Sequence, residues 1–193
     1  MRLRQRLQAA TGATDCRGRA VVGDFTDLSG LRKVLEGLPS HHLNLAFIDP
    51  TECNVPFETI RLVADSLQSV DLIINVAVGT DANRNLARAI LEPSFANARR
   101  KYATFLGSEA FFLDSSSLES ARIGDHRALR EAFLGEYVKA LGRLGFSHTD
   151  TKTVRSYYHL LFASRSERGL DFWHKANRIE PDGQRTFDFF SSR

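Results

Sequence analysis

Apolar residues along the chain fall into two alternating patterns, short continuous runs and longer stretches with helical spacing. Leu43-Asn44-Leu45-Ala46-Phe47-Ile48 is one such run; it ends on Asp49-Pro50 and is followed by Val55-Pro56-Phe57-Glu58-Thr59-Ile60. A short, bounded, nearly continuous run predicts a strand covered on both faces, here leading through a proline-stiffened turn into a helix. Arg19 to Gly23 predicts another short strand, closing on Asp24, and Val70 to Val78 a further one, closing at Gly79-Thr80. Between these runs, Leu31, Val34, Leu35 and Leu38 share a helical face behind a cap at Asp27 or Ser29 and ahead of Pro39. Ile60, Val63, Ala64 and Leu67 share a second such face. Strands and helices alternating in this order predict a right-handed parallel sheet. Asp49 then stands at the carboxyl end of a parallel strand, the edge at which open α/β sheets bind ligands.

The second half has a different texture. Ala82 to Leu91, Ser94 to Phe105 and Ser108 to Leu113 read as short helices around a polar segment, Asp114 to Ser120. A longer amphipathic helix is predicted from His126 to Leu144, with Leu129, Phe133, Tyr137, Ala140 and Leu144 on one side and Gly145 as its C-cap. Thr151 to Ser156 and Tyr158 to Ser164 read as two closely joined β segments, so the last strand is expected to enter antiparallel. A helix from Glu167 to Arg178 and an apolar tail, Thr186 to Phe190, follow; Arg2 to Ala10 reads as the tail of a helix at the other end. The whole predicts one Rossmann-like α/β domain over residues 1–193. Its sheet is expected to be mostly parallel, of about five strands, with a largely helical insertion or cap over 81–146.

Composition narrows the class. The chain has 193 residues, 42% hydrophobic and 25% charged, enough for a full core. No apolar stretch approaches a membrane span, and the first residues, Met1-Arg2-Leu3-Arg4-Gln5-Arg6-Leu7, lack the apolar core of a secretory signal, which points to the cytoplasm. The two cysteines, Cys16 and Cys53, form no metal-ligand spacing, and none of the six histidines are paired at i, i+4; no metal is expected. A net charge of +3 is mild. It is also uneven, with Arg99-Arg100-Lys101 midway, so a phosphate-facing patch and an ordinary solvated helix face both fit.

Four pieces carry a family resemblance: Phe47-Ile48-Asp49-Pro50 with Val55-Pro56-Phe57-Glu58-Thr59-Ile60; Asn83-Arg84-Asn85-Leu86; Phe105-Leu106-Gly107; and Leu161-Phe162-Ala163-Ser164 with Phe172-Trp173-His174-Lys175-Ala176. In this order and spacing the chain resembles the three-Cys-motif partner family, whose fold is that of class I S-adenosylmethionine-dependent methyltransferases. The family takes its name from genomic pairing with a radical-SAM-type protein bearing three cysteines, so the resemblance implies such a partner. Two departures stand out. Thr51-Glu52 follows Asp49-Pro50 where the family has an aromatic residue and a glycine. Further, no glycine-rich turn precedes Asp24: Gly12 and Gly18 are isolated and Gly23 leads straight into Asp24. Such a turn normally lets the backbone approach the cofactor. The chain thus resembles the carboxyl-terminal part of a truncated class I methyltransferase, lacking its first two strands. The open edge this leaves would be covered by a second polypeptide, a second copy or a rearranged amino-terminal helix.

The resemblance assigns roles. Asp49 and Pro50 match the start of the motif that holds an exocyclic amine in amino-group methyltransferases, where orientation and proton acceptance matter more than prior deprotonation. Asp24, with Phe25, falls where the fold presents an acid to the adenine of S-adenosylmethionine; a turn aspartate in Gly-Asp-Phe-Thr-Asp explains it equally well. Arg84 and Asn85 are candidates for phosphate or base contacts, Ser164-Arg165 for an anion, and Trp173 for stacking on a base. Aromatic residues near a chain end are also ordinary core. Two functions follow: a methyltransferase-like enzyme directed at an amino group of nucleic acid or nucleotide and incomplete alone, or a non-catalytic interaction or scaffold module derived from one.

Overall fold

Val70 to Val76 forms one of the two inner strands of an open four-stranded sheet in a computed structural model that describes residues 21–154 and 158–178. The elements are α1 (Leu28–Glu36), β1 (Asn44–Ile48), α2 (Phe57–Ser66), β2 (Val70–Val76), α3 (Asn83–Leu91), α4 (Ala96–Leu106), α5 (Ala110–Leu113), α6 (Ser115–Ile123), α7 (His126–Arg143), β3 (His148–Val154), β4 (Tyr158–Ser164) and α8 (Glu167–Asn177). A π-type turn, Val78–Ala82, links β2 to α3. Strand order is β1-β2-β4-β3. β1 and β2 are parallel from Asn44↔Val70 to Ile48↔Ile74, whereas β4 is antiparallel to both β2 and β3. Three strands therefore run one way, and β4 runs back between two of them.

Caps and turns explain the boundaries. The Asp27 carboxylate accepts the Ser29 and Gly30 amides at 3.1 Å each and starts α1. Asp114 does the same for α6, accepting the Ser117 amide at 2.8 Å, so the polar segment read between short helices is itself the start of a helix. Gly107 ends α4 at φ +66, where a Cβ would also lie 2.8 Å from Phe57; only glycine meets both conditions.

Three expectations need correction. Of the strand expected over Arg19 to Gly23, Arg19 and Ala20 lie outside the described residues, and Val21–Gly23 forms no strand: Val22 is 95% exposed, and the chain passes at once into the Asp24 to Thr26 turn. The sheet accordingly has four strands, not five, among the described residues. It is not mostly parallel either, because β4 inserts between β2 and β3 and makes two of the three pairings antiparallel. The segments expected from Arg2 to Ala10 and Thr186 to Phe190 lie outside the described residues.

Side chains alternate along β2. Leu72, Ile74 and Val76 are fully buried in the main core, while Asp71, Ile73 and Asn75 point to the opposite face. The core continues into an aromatic cluster: Phe105 stacks on Phe133 at 5.9 Å and on Tyr137 at 4.4 Å, and Phe57 meets Tyr137 edge-on at 5.9 Å. The Tyr137 hydroxyl is buried without a hydrogen-bond partner, and burial pushes its ionisation far above the usual phenol range. Tyr137→Phe is expected to raise stability by about 1 kcal/mol, since it removes a desolvated, unpaired donor and little volume. Urea unfolding checks the sign; a clear loss would mean that the hydroxyl has a partner.

Candidate functional site

The parallel register that ends at Ile48↔Ile74 sets Asp49 beside Asn75, at the carboxyl ends of β1 and β2. Asn75 is 5% exposed and lies on the sheet face opposite the main core. Its Nδ2 donates to Asp49 Oδ1 at 2.8 Å and, at 3.4 Å, to the Pro50 carbonyl oxygen. Its Oδ1 is buried and accepts no hydrogen bond.

Around this pair lies an open cleft of about 360 Å³. Phe47 and Thr51 border it on the β1 side, and Val154, Tyr158 and Leu160 on the side of β3 and β4. Pairings explain the walls: Leu160 sits across from Asn75, and Tyr158 across from Val154. Phe47, on β1, is 60% exposed and keeps an aromatic face in the solvent-facing wall. The chemistry on offer is a carboxylate and a carbonyl as acceptors, held by a buried amide donor and surrounded by apolar and aromatic surface. That combination suits a small planar group bearing N–H donors.

The other expected site residues are dispersed. Asp24 forms an exposed turn, its Oδ1 accepting the Thr26 amide and hydroxyl at 2.8 Å each; these bonds, the amide first, hold its carboxyl below the usual range. Phe25 offers its carbonyl to the Thr59 hydroxyl on α2 at 2.9 Å. Ser164 is fully buried, its hydroxyl accepting the Ser166 amide at 3.0 Å. Because β4 runs antiparallel, Ser164 lies at the end of the sheet remote from Asp49. Trp173 stacks on Phe162 at 5.1 Å and donates to Asp150 at 2.7 Å, which ties α8 to β3 and β4. Asn85 is half-buried on α3, and the side chain of Arg84 lies outside the described residues. Arg165, considered as an anion contact, is spent on main-chain carbonyls of Ala64, Leu67, Gln68 and Leu144. In the basic run, Arg99 pairs with Glu109 and Lys101 with Glu52.

Among the described residues, only Asp49 and Pro50 of those expected meet in the cleft. Asn75, Tyr158 and Leu160 join them unannounced. The signal for Asn75 is in the sequence: an amide interrupts Val70-Asp71-Leu72-Ile73-Ile74-Asn75-Val76, and a buried polar side chain in an apolar strand requires a partner.

By themselves the described residues do not complete a site for S-adenosylmethionine: no glycine-rich turn stands before Asp24 in the sequence, and Asp24 has its Oδ1 taken by Thr26 while its Oδ2 accepts no hydrogen bond among the described residues. Among the described residues, no group of three or more histidine, cysteine or acidic side chains is placed to hold a metal, and no helix is long and apolar enough to cross a membrane. No protein-family model, curated protein or solved structure matches the chain.

Proposed function

We propose that the chain is a methyltransferase-like protein whose Asp49 cleft holds an amino group of a nucleotide or nucleic-acid base, and that it is incomplete for methyl transfer by itself. The observation that carries this reading is the Asp49, Pro50 and Asn75 constellation at the carboxyl edge of two parallel strands, inside an aromatic-walled cleft. The last strand supports it as well: β4 runs antiparallel to its neighbours, as expected from the class I methyltransferase resemblance. An S-adenosylmethionine site, in this proposal, is completed by residues of a second polypeptide, such as a radical-SAM-type partner, or of a second copy. The cleft's part is to accept N–H donors and fix the ring that bears them.

Binding tests this without presuming a reaction. Calorimetry is expected to show adenosine bound at least about tenfold more tightly than inosine, and cytidine more tightly than uridine, because the cleft's carboxylate and carbonyl can take both protons of an exocyclic amine, whereas inosine and uridine present a carbonyl oxygen at that position. Asp49→Ala is expected to erase the difference. Equal binding of all four, or of none, would overturn the reading.

A non-catalytic interaction module is favoured by a different observation. Among the described residues β1 pairs only with β2, and Leu43, Leu45 and Phe47 are exposed in alternation along that edge strand. Edge strands are ordinarily guarded by charge or proline, and this one has neither within Asn44–Ile48.

A further inference from the structure

We infer that Asn75 is the positioning residue of the cleft: a single buried amide that sets the spacing between the Asp49 carboxylate and the Pro50 carbonyl. The inference rests on the amino-group reading of the same site and adds a residue to it. One Nδ2 group spans both acceptors, at 2.8 Å to Asp49 Oδ1 and 3.4 Å to Pro50 O. Pro50 follows Asp49 directly, so backbone alone would leave the carboxylate free to rotate about its side-chain torsions. The hydrogen bond from the neighbouring strand removes that freedom and holds one carboxylate oxygen. Asp49 Oδ2 has no hydrogen bond among the described residues and remains the acceptor for a ligand.

Orientation of the amide follows from electrostatics rather than from assignment. Turned over, Asn75 would set its own Oδ1 against Asp49 Oδ1 and the Pro50 carbonyl, three acceptors with no proton among them. Asn75 therefore keeps its donor toward Asp49, and its Oδ1 is left buried without a donor. A residue selected for stability alone would not carry that cost on a 5% exposed position in a strand otherwise built of Val, Ile, Leu and one Asp. Leucine has the same branched skeleton, somewhat bulkier, and no unpaired acceptor, and the open cleft gives its methyl groups room. An amide retained there against the interest of the fold points to the site it serves.

This gives a test in which stability and binding move apart. Asn75→Leu is expected to keep or raise the melting temperature while weakening adenosine binding about tenfold or more, the effect of losing one hydrogen bond to a charged acceptor. Asn75→Asp sets a second carboxylate beside Asp49 and is expected to weaken adenosine binding further. With Asn75 itself unchanged, its side-chain amide signal in a proton–nitrogen NMR spectrum is expected to shift, and its solvent exchange to quicken, when Asp49 is changed to alanine. Should Asn75→Leu lose stability but keep adenosine binding, Asn75 is structural and the inference falls while the amino-group reading stands. If adenosine and inosine bind alike in the unsubstituted protein, the amino-group reading falls. If the Asn75 amide signal ignores Asp49→Ala, the inference falls whatever binds.

Discussion

Arg165→Ala is expected to lower the unfolding free energy by about 3 kcal/mol, which for a chain of this size is a drop of about 6–12 °C in melting temperature. The guanidinium makes five hydrogen bonds to main-chain carbonyls: Nε and Nη2 to Leu144, Nη1 to Leu67 and Gln68, and Nη2 to Ala64, at 3.0–3.3 Å. Its Cζ also lies 4.7 Å from the centre of the Phe146 ring. Those carbonyls belong to the ends of α2 and α7, where the last turns of a helix leave acceptors unpaired and the backbone dipole favours a cation. A side chain just beyond β4 thus closes two helix ends at once. Alanine would leave the partly buried carbonyls without donors, and it is that loss, rather than the value of any single bond, that sets the magnitude. Lysine keeps the charge but offers one ammonium for acceptors on two helices, so Arg165→Lys is expected to recover less than half of the loss. Thermal and urea unfolding check both; a change within about 0.5 kcal/mol for alanine, the range of ordinary surface substitutions, would show that water replaces the guanidinium.

The same residue shows where sequence reading stops. Ser164-Arg165 after an apolar strand is consistent with an anion contact, because arginine at a strand end often meets solvent or ligand. What decides its role is the approach of α2 and α7, which are separated from it by 98 and 21 residues along the chain and are brought to it only by tertiary structure. The position of the Asp49 strand was legible for the opposite reason, since an apolar run of Leu, Ala, Phe and Ile, a carboxylate and a proline make a local signal; the cover expected on both its faces is not there, because β1 is an edge strand with Leu45 and Phe47 62% and 60% exposed. Asp24 illustrates a third case. Gly23-Asp24-Phe25-Thr26 was readable both as a ligand contact and as a turn, and the structure shows the turn, with both Thr26 bonds on Oδ1 of the carboxylate. The serine run Ser115-Ser116-Ser117 looks irregular by propensity, but an aspartate directly before it supplies a cap, and burial of Ser117 and Ala121 does the rest. Position along the chain gave no hint that β4 would lie between β2 and β3; only the closeness of two β segments suggested an antiparallel pair.

Phe105→Ala is expected to cost about 4 kcal/mol, more than any other single substitution considered. Phe105 is 1% exposed and forms the middle of a three-ring stack, parallel to Phe133 within 5° and to Tyr137 within 12°. Truncation opens a void that the neighbours cannot fill, because Phe133 is itself held edge-on by Tyr102 at 5.7 Å and Phe111 at 5.4 Å, and Tyr137 by Phe57 at 5.9 Å. Rings braced from two directions do not collapse inward, so the cavity term adds to the lost transfer free energy. Phe105→Leu fills most of the volume without the ring faces and is expected to cost about 1.5 kcal/mol, which separates volume from stacking. The stack lies in the core that covers Leu72, Ile74 and Val76, whereas Asn75 faces the other side of the same strand. In a folded Phe105→Leu variant, adenosine binding and the Asn75 amide signal are therefore expected to stay unchanged while urea unfolding shifts to lower concentration. A matching loss of binding would mean that the aromatic layer and the cleft are coupled through β2, and that the strand transmits packing changes from one face to the other.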